Sequence, residues 1–559
     1  MNLVIKSWPA SFVVWLIIFS TACKKSDNVQ QVPVNTPETF KIVSTLINGN
    51  PGNNVNNITV NPTIKVAFTT PVSESAVAAN MTLSENGTTA IALNIAFENG
   101  DSMVVLTPQS ALKHITKYSF AVSTNLKSVK NTPLNAAATR VFVTTLDSTD
   151  KFPLISDDSL LSLIQKQTLR YFFDFAHPVS GLARERNSSG DVVTTGGSGF
   201  GIMAIIAGIS RNFISRTDGL NQLAKIVDFL TNKVTSYHGA FPHWLNGATG
   251  ATVPFSDNDD GADLVETSYL MEGLLTARQY FNGASAEETD LRNKINTLWN
   301  NVEWDWFRQN GQNVLYWHWS PDKSWIMNVP VRGWNEALIT YVLAASSTMH
   351  SISDTVYTNG WAQNGTFRNG ASYFGYLLPL GPAQGGPLFF EHYSFLGLNP
   401  NGLSDVYSDY QVQATNHTLI NYSYCFTNPK NYFGYSDACW GLTASDDPDG
   451  YAAHEPNNDN GTITPSAALS SFPYSPGESL KALKFFYYKL GDKIWKEYGF
   501  TDAFNLNRPW FADSFLAIDQ GPIVVMIENY RSGLLWNLFT SCPEVKAGLL
   551  KLGFTAPYL

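Results

Sequence analysis

A chain of 559 residues is too long for one small core, and 44% hydrophobic content marks it as folded rather than disordered. A net charge of −10, without any dense Lys/Arg block, excludes a surface built to follow a phosphate backbone, so nucleic acid is not an expected partner. Aromatic residues are plentiful instead: 15 Trp, 24 Tyr and 34 Phe beside 15% charged residues suit a flat, neutral partner such as a sugar, although large cores also consume aromatics.

The chain opens with MNLVIKSWPASFVVWLIIFSTAC: Lys6, an apolar run from Phe12 to Phe19, then small residues up to Cys23. This is the pattern of an export signal and is short for a membrane span. The exit Ser20-Thr21-Ala22-Cys23 resembles a bacterial lipoprotein processing site, although no Leu stands three residues before the cysteine. Residues 1–22 are therefore expected to be a lipoprotein signal peptide, with Cys23 lipidated and holding the chain on the bacterial cell envelope, at the outer membrane or facing the periplasm. The simpler alternative is a plain signal peptide cut nearby. Residues 23–38 are polar, contain two prolines and read as a tether.

From Phe40 to about Leu146 come short alternating runs rich in Val, Ile, Thr and Phe (TIKVAFTT, IALNIAF, SMVVLTP, YSFAVST, TRVFVTTL), separated by Asn, Gly and Pro. They predict a β-sandwich over residues 39–148. The run NPTIKVAFTTPV, then LTPQSALKHITKYSFAVST and TRVFVTT, resembles the bacterial Ig-like domains of exported and surface-layer proteins. No chemistry is visible there, and the expected task is to space the next domain from the membrane. Residues 152–559 change texture. LLSLIQKQTLRYFFDF, GIMAIIAGISR, LNQLAKIVDFLTNKV, LVETSYLMEGLLTARQYF, NEALITYVLAAS and ESLKALKFFYYKL carry apolar residues at helical spacing, between long loops rich in Gly, Trp, Asn and Pro. Helix after helix with aromatic loops suggests an α/α toroid whose loops line a cleft. Cys425, Cys439 and Cys542 match no zinc spacing and are expected to be buried small hydrophobes, pairing once at most.

The densest acidic stretch is DNDDGADLVETSYL, residues 257–270. Asp263 and Glu266 have the spacing of a capping box, which accounts for those two. Asp257, Asp259 and Asp260 exceed what a helix dipole requires, and mutual repulsion is expected to raise some of these pKa values, as a general acid needs. A calcium loop is the other use of such a cluster, but the full Asp-x-Asp-x-Asp-Gly spacing is lacking, and no metal is expected. A second constellation spans residues 301–346, with YWHWSPDKSW as strand, turn and strand, then a helix expected to begin near Trp334 with Glu336 in its first turn. Glu is favoured there by the helix dipole alone. Trp304, Trp306, Trp317, Trp319, Trp325 and Trp334 around it would make a dry stacking platform, which favours a functional Glu336.

Glu391, His392 and Tyr393 form a polar trio in an apolar run and could line a site or build a core network. The loop 435–476 holds Asp446, Asp447, Asp449, His454 and Glu455, most of them solvated turn acids. Asp519, before Gln-Gly-Pro, could cap a helix starting near Ile523 or face the cleft as a base. No Walker loop, dinucleotide glycine fingerprint, Gly-x-Ser-x-Gly or His-Glu-x-x-His is present, so no cofactor is expected. Carboxylates and aromatics point to glycoside chemistry.

The runs TTGGSGFGIMAIIAGISR, FPHWLNGATG, DNDDGADLVETSYLMEGLL, VRGWNEALITYVLAASS, FFEHYSFLGL, CWGLTASDDPDGY and DQGPIVVMIENYRSGLLW together resemble the bacterial glycoamylase-like domain, a group that includes the endo-β-1,2-glucanases of glycoside hydrolase family 144. The resemblance covers about residues 155–559. It implies an all-α (α/α)6 barrel that hydrolyses β-1,2-glucan with inversion, by endo cleavage or by release of a disaccharide. Glu336 would be the acid, and Asp259, Asp263 and Asp519 are the alternatives for the base. Substrate contacts would come from Glu266, Trp244, Trp317, Trp319, Trp334, Arg332, Glu391, His392, Tyr393, Trp440 and Asp446. Two competing readings remain: a glycan-binding lipoprotein without catalysis, and an α-glucan hydrolase on the same barrel.

Overall fold

A computed structural model of the protein describes residues 39–559; Cys23, the signal segment and the tether lie outside them. The first unit is a sandwich of nine strands: β1 (Ile42–Ile47), β2 (Asn54–Ile58), β3 (Ile64–Phe68), β4 (Met81–Glu85), β5 (Thr89–Ile91), β6 (Leu93–Glu98), β7 (Met103–Pro108), β8 (Lys117–Val122) and β9 (Ala138–Thr144). One sheet runs β1-β3-β7-β6 and the other β2-β9-β8-β4-β5. All neighbours are antiparallel except β2 and β9. The alternation in sequence is the cause: Ile64, Val66 and Phe68 of β3 point inward while Lys65 and Ala67 remain half-exposed. They meet Phe40, Val104, Leu106, Phe120 and Phe142 in one core.

The remainder is helical, with two kinds of helix. Asp157–Phe173, Arg216–Asn232 and Ala286–Asn300 each bury one face, and each starts at a serine (Ser156, Ser215, Ser285) whose hydroxyl accepts from the backbone N–H three residues on. Thr195–Ser210, Leu264–Tyr280 and Leu338–Ser346 are buried along all or nearly all of their length, and Ala517–Ser532 along most of it. The glycines of TTGGSGFG let the first two of these inner helices touch through backbone. A Cβ on Gly199 would stand 2.1 Å from the carbonyl oxygen of Tyr269, and one on Gly273 2.3 Å from that of Gly199. The acidic side chains cluster at the N-terminal ends of the inner helices, so one end of the helical unit collects the chemistry.

The sandwich is docked on the helical unit. Ile115, before β8, packs in the same apolar cluster as Leu160, Ile164 and Tyr488, and holds a φ of +46°, a costly setting for a β-branched residue. Asn56 donates to Asn507, and Lys489 pairs with Asp150 at 2.7 Å. The expected spacer is thus also a packed neighbour. Two helix starts differ from expectation. The helix expected near Trp334 begins at Leu338, because Gly333 (φ +80°) and a non-helical Ala337 form a turn first. The helix expected near Ile523 begins at Ala517 and carries Pro522 inside. Cys425, Cys439 and Cys542 are buried free thiols.

Candidate active site

A cavity of about 410 Å³ opens at the N-terminal ends of the inner helices. Trp244, Phe255, Trp317, Tyr269, Phe389, Tyr393 and Tyr451 supply its aromatic walls; Glu266, Glu336, Glu185, Arg186 and His243 supply its charges.

Residues 257–270 build one side. Asp263 is the N-cap of Leu264–Tyr280, its Oδ1 accepting the Glu266 N–H at 2.9 Å. The reciprocal half of the capping box does not form. The Asp263 N–H donates to the Phe241 carbonyl, and the Glu266 carboxylate accepts the Gly196 N–H at 2.8 Å. A Cβ at Gly196 would lie 2.5 Å from that carboxylate oxygen, so glycine is what lets Glu266 reach it. A two-residue ladder sets Asp263 opposite His318, and Asp263 Oδ2 lies 3.1 Å from His243 Nδ1 and 3.7 Å from His318 Nε2. Burial would raise the Asp263 pKa, but the His243 hydrogen bond, His318 and the Glu266 N–H together hold it below the ordinary range. Burial would also lower His243, yet Glu266, Asp263 and Asp259 push it up to about 9, so it is the cation of the group. Asp259 and Glu266, desolvated and repelled by Asp263, are each raised to about 7. The ligand atoms of His243, Asp259 and Asp263 lie within 4.8 Å of one another, a set able to hold a divalent ion, but His243 already supplies positive charge there.

Glu336 stands just before the Leu338–Ser346 helix. Its backbone carbonyl accepts from Tyr269 Oη at 3.3 Å and from Ser394 Oγ, which fixes the turn. Its carboxyl lines the cavity and is raised to about 7, first by burial and then by Glu266 and Asp263. At neutral pH it holds a proton much of the time, as a proton donor must.

A second acidic group borders the cavity beyond Arg186, Tyr451 and Ile518. Asp519 lies in the first turn of Ala517–Ser532 and accepts from Ser466 Oγ at 3.0 Å. Its neighbour Asp502 accepts the Asp446 N–H at 2.7 Å, and Asp446 is bound by Arg186 at 3.1 Å and by Ser514. Asp519 is raised to about 7, chiefly by burial.

The expected residues thus divide. Glu266, Glu336, Trp244, Trp317 and Tyr393 line the cavity; Asp259, Asp263, Asp446 and Asp519 stand behind lining residues. Others lie elsewhere. Glu391 is fully buried, and its Oε1 takes the Trp334 indole at 2.9 Å, Gln413 at 2.8 Å and His417 at 2.8 Å. Trp334 is therefore a core ring, packed on Trp361, Phe395 and Tyr410. His392 is buried neutral against Ser471, Trp440 is a core residue of a second apolar cluster, and Trp319 packs on His238 and Trp306. Arg332 is exposed and outside the cavity lining. Sequence reasoning missed His243, His318, Asp502, Tyr451 and Phe255. The pairing of FPHW and YWHW with the acidic stretch, which brings in both histidines, had no local signal.

A helical unit with a cleft walled by aromatic rings and buried, proton-holding carboxyls has the build of a glycoside hydrolase. Residues 328–543 match the family model described as "Putative glucoamylase", and residues 41–145 match that of the bacterial Ig-like domain. A solved structure of an endo-β-1,2-glucanase from Chitinophaga pinensis, in complex with sophorotriose and glucose, superposes with a TM-score of 0.71 at 52% identity, covering 73% of this chain and 100% of that one. A β-1,2-glucanase from Parabacteroides distasonis aligns at 38% identity and TM-score 0.70, over 92% of this chain and 73% of its own. The exo-β-1,2-glucooligosaccharide sophorohydrolase (non-reducing end) of Parabacteroides distasonis is 46% identical over 427 residues, 72% of this chain; the match spans 59% of that relative's length. The chain belongs to this glycoamylase-like family of glycoside hydrolases, carried behind an Ig-like domain.

Proposed function

We propose that the protein hydrolyses β-1,2-glucan by single displacement, with Glu336 as general acid. The observation that carries this is a carboxyl raised to about 7 on an aromatic cavity, with further buried carboxyls nearby. The protonated Glu336 donates to the leaving glycosidic oxygen while a carboxylate activates water on the other face of the sugar. Among the alternatives for the base, Asp263 is committed to its cap and two imidazoles, and Asp259 to the same histidine group. Asp519 belongs to the separate Asp446–Asp502 group, and we assign it the base role. An inverting pair stands roughly 6.5–9.5 Å apart to admit the water. Glu266, Trp244, Trp317 and Tyr393 would hold glucose units.

Incubating the protein with linear β-1,2-glucan and with starch, following reducing ends, tests the substrate. Release from the first only is expected, and starch cleavage would favour the α-glucan reading. Glu336→Gln should lower hydrolysis at least 10²-fold in a folded protein; unchanged turnover would make the protein a glycan binder or move the acid elsewhere. An α-anomer as first product is the expected NMR result, and a β-anomer would overturn inversion.

For the architecture we propose an (α/α)6 barrel over residues 152–559. Six inner segments alternate with outer ones: Thr195–Ser210, Leu264–Tyr280, Leu338–Ser346, the 3₁₀ turns between Leu388 and Phe395, Pro465–Leu469 and Ala517–Ser532. Packing of the last helix on the first supports closure of the ring. We also propose, from the N-terminal sequence alone, that Cys23 carries a lipid holding the enzyme on the cell envelope.

A further inference from the structure

Asp502 was singled out by no motif, yet it is 2% exposed beside Asp519, which is 3% exposed. The two side chains adjoin, and each acts on the titration of the other. Asp502 Oδ1 and Asp519 Oδ2 are buried without any hydrogen-bond partner among the described residues, whereas the other oxygen of each carboxyl is taken by the Asp446 N–H and by Ser466 Oγ. Two ionised carboxylates have only acceptors to offer each other, so this contact needs one proton between them. We propose that Asp502 is a positioning residue for the reaction: it keeps that proton and donates it as a hydrogen bond to Asp519, holding Asp519 ionised, oriented and ready to accept a proton from water.

The surroundings decide which partner is ionised. Asp519 has the Ser466 hydroxyl as a second donor and lies within the field of Arg186. Asp502 receives only the Asp446 backbone N–H, and the Asp446 carboxylate repels both members of the pair. The second donor and the Arg186 field put the negative charge on Asp519 and the proton on Asp502. Tyr451 and Tyr393 are the other titratable groups facing the pair, and both remain neutral, because burial and then Asp519 raise them well above the ordinary phenol range. The charge so held stays with the group beside the cavity.

This inference rests on Asp519 being the base, and its test separates the two. In Asp502→Ala the donor is lost, so the acidic limb of the pH–kcat profile should move to higher pH and kcat should fall by about 10²-fold. In Asp502→Asn the amide can donate to Asp519 and its oxygen can accept the Asp446 N–H, so limb and rate should return to within about tenfold of the wild type. Infrared difference spectra at neutral pH should show a protonated-carboxyl band in the wild type that is missing in Asp502→Asn. Asp502→Asn as inactive as Asp519→Asn, or a folded Asp502→Ala with an unmoved limb, overturns the positioning role. An unchanged infrared band overturns the shared proton. If Asp519→Asn keeps wild-type turnover, the base assignment fails while the infrared comparison still decides where the proton resides.

Discussion

At Glu336, Asp259 and Glu266 one physical cause acts: burial costs the charged form more than the hydrogen bonds on offer return, so each carboxyl rises to about 7. The sign for stability follows. A group raised in the folded state stabilises below its unfolded pKa, near 4, and that contribution is lost as pH climbs through about 7. His243, raised to about 9, acts in the same direction at higher pH. The urea midpoint should therefore fall between pH 5 and pH 8, and kcat/KM should fall over the upper part of that range as Glu336 loses its proton. A midpoint that rises with pH would contradict the burial account. The surplus of acids in residues 257–270 and the aromatics around Glu336 were readable as chemistry in the sequence. His243, His318 and Asp502 were not, because what makes them matter is a partner 20 to 56 positions away (Asp263 for both imidazoles, Asp446 for Asp502) joined by a strand pair or a backbone contact.

Elements position these groups, and their starts matter more than their lengths. Asp263 caps its helix with Oδ1 and faces two imidazoles with Oδ2, of which His243 carries the positive charge. Asp263→Asn keeps an oxygen for the cap, whereas Asp263→Ala loses it at about 1 kcal/mol and also strands His243. Denaturant midpoints should rank wild type, Asn, then Ala, and equal midpoints for Asn and Ala would show that the cap contributes nothing. Helical periodicity found this helix correctly because Asp-x-x-Glu precedes an apolar run. It misplaced the start at Leu338 because the turn at Gly333–Ala337 sits inside an equally apolar stretch, and tertiary bonds to the Glu336 carbonyl decide where the helix begins. Glu391 shows the same limit: a polar residue in an apolar run reads alike whether it faces a cleft or anchors Trp334 in the core.

For the whole molecule, the strand and helix textures foretold two units, but nothing in composition foretold that they pack. Ile115 is the joint: its +46° φ is tolerated because its side chain fills an apolar cluster of the helical unit. Ile115→Asp should undock the sandwich and split one thermal transition into two by calorimetry; a single transition in the variant would show that the docking does not couple the units. The buried thiols carry a different consequence. Burial pushes Cys542 up to about 12 and Cys425 and Cys439 higher still, so the thiolate, the form that oxidants and other thiols attack, is scarcely populated while the fold holds. The native protein can thus sit in an oxidising milieu with Cys425, Cys439 and Cys542 reduced. The same residues become cross-linking points once it opens, so its shelf life there is set by how rarely it unfolds and not by how strongly it is oxidised.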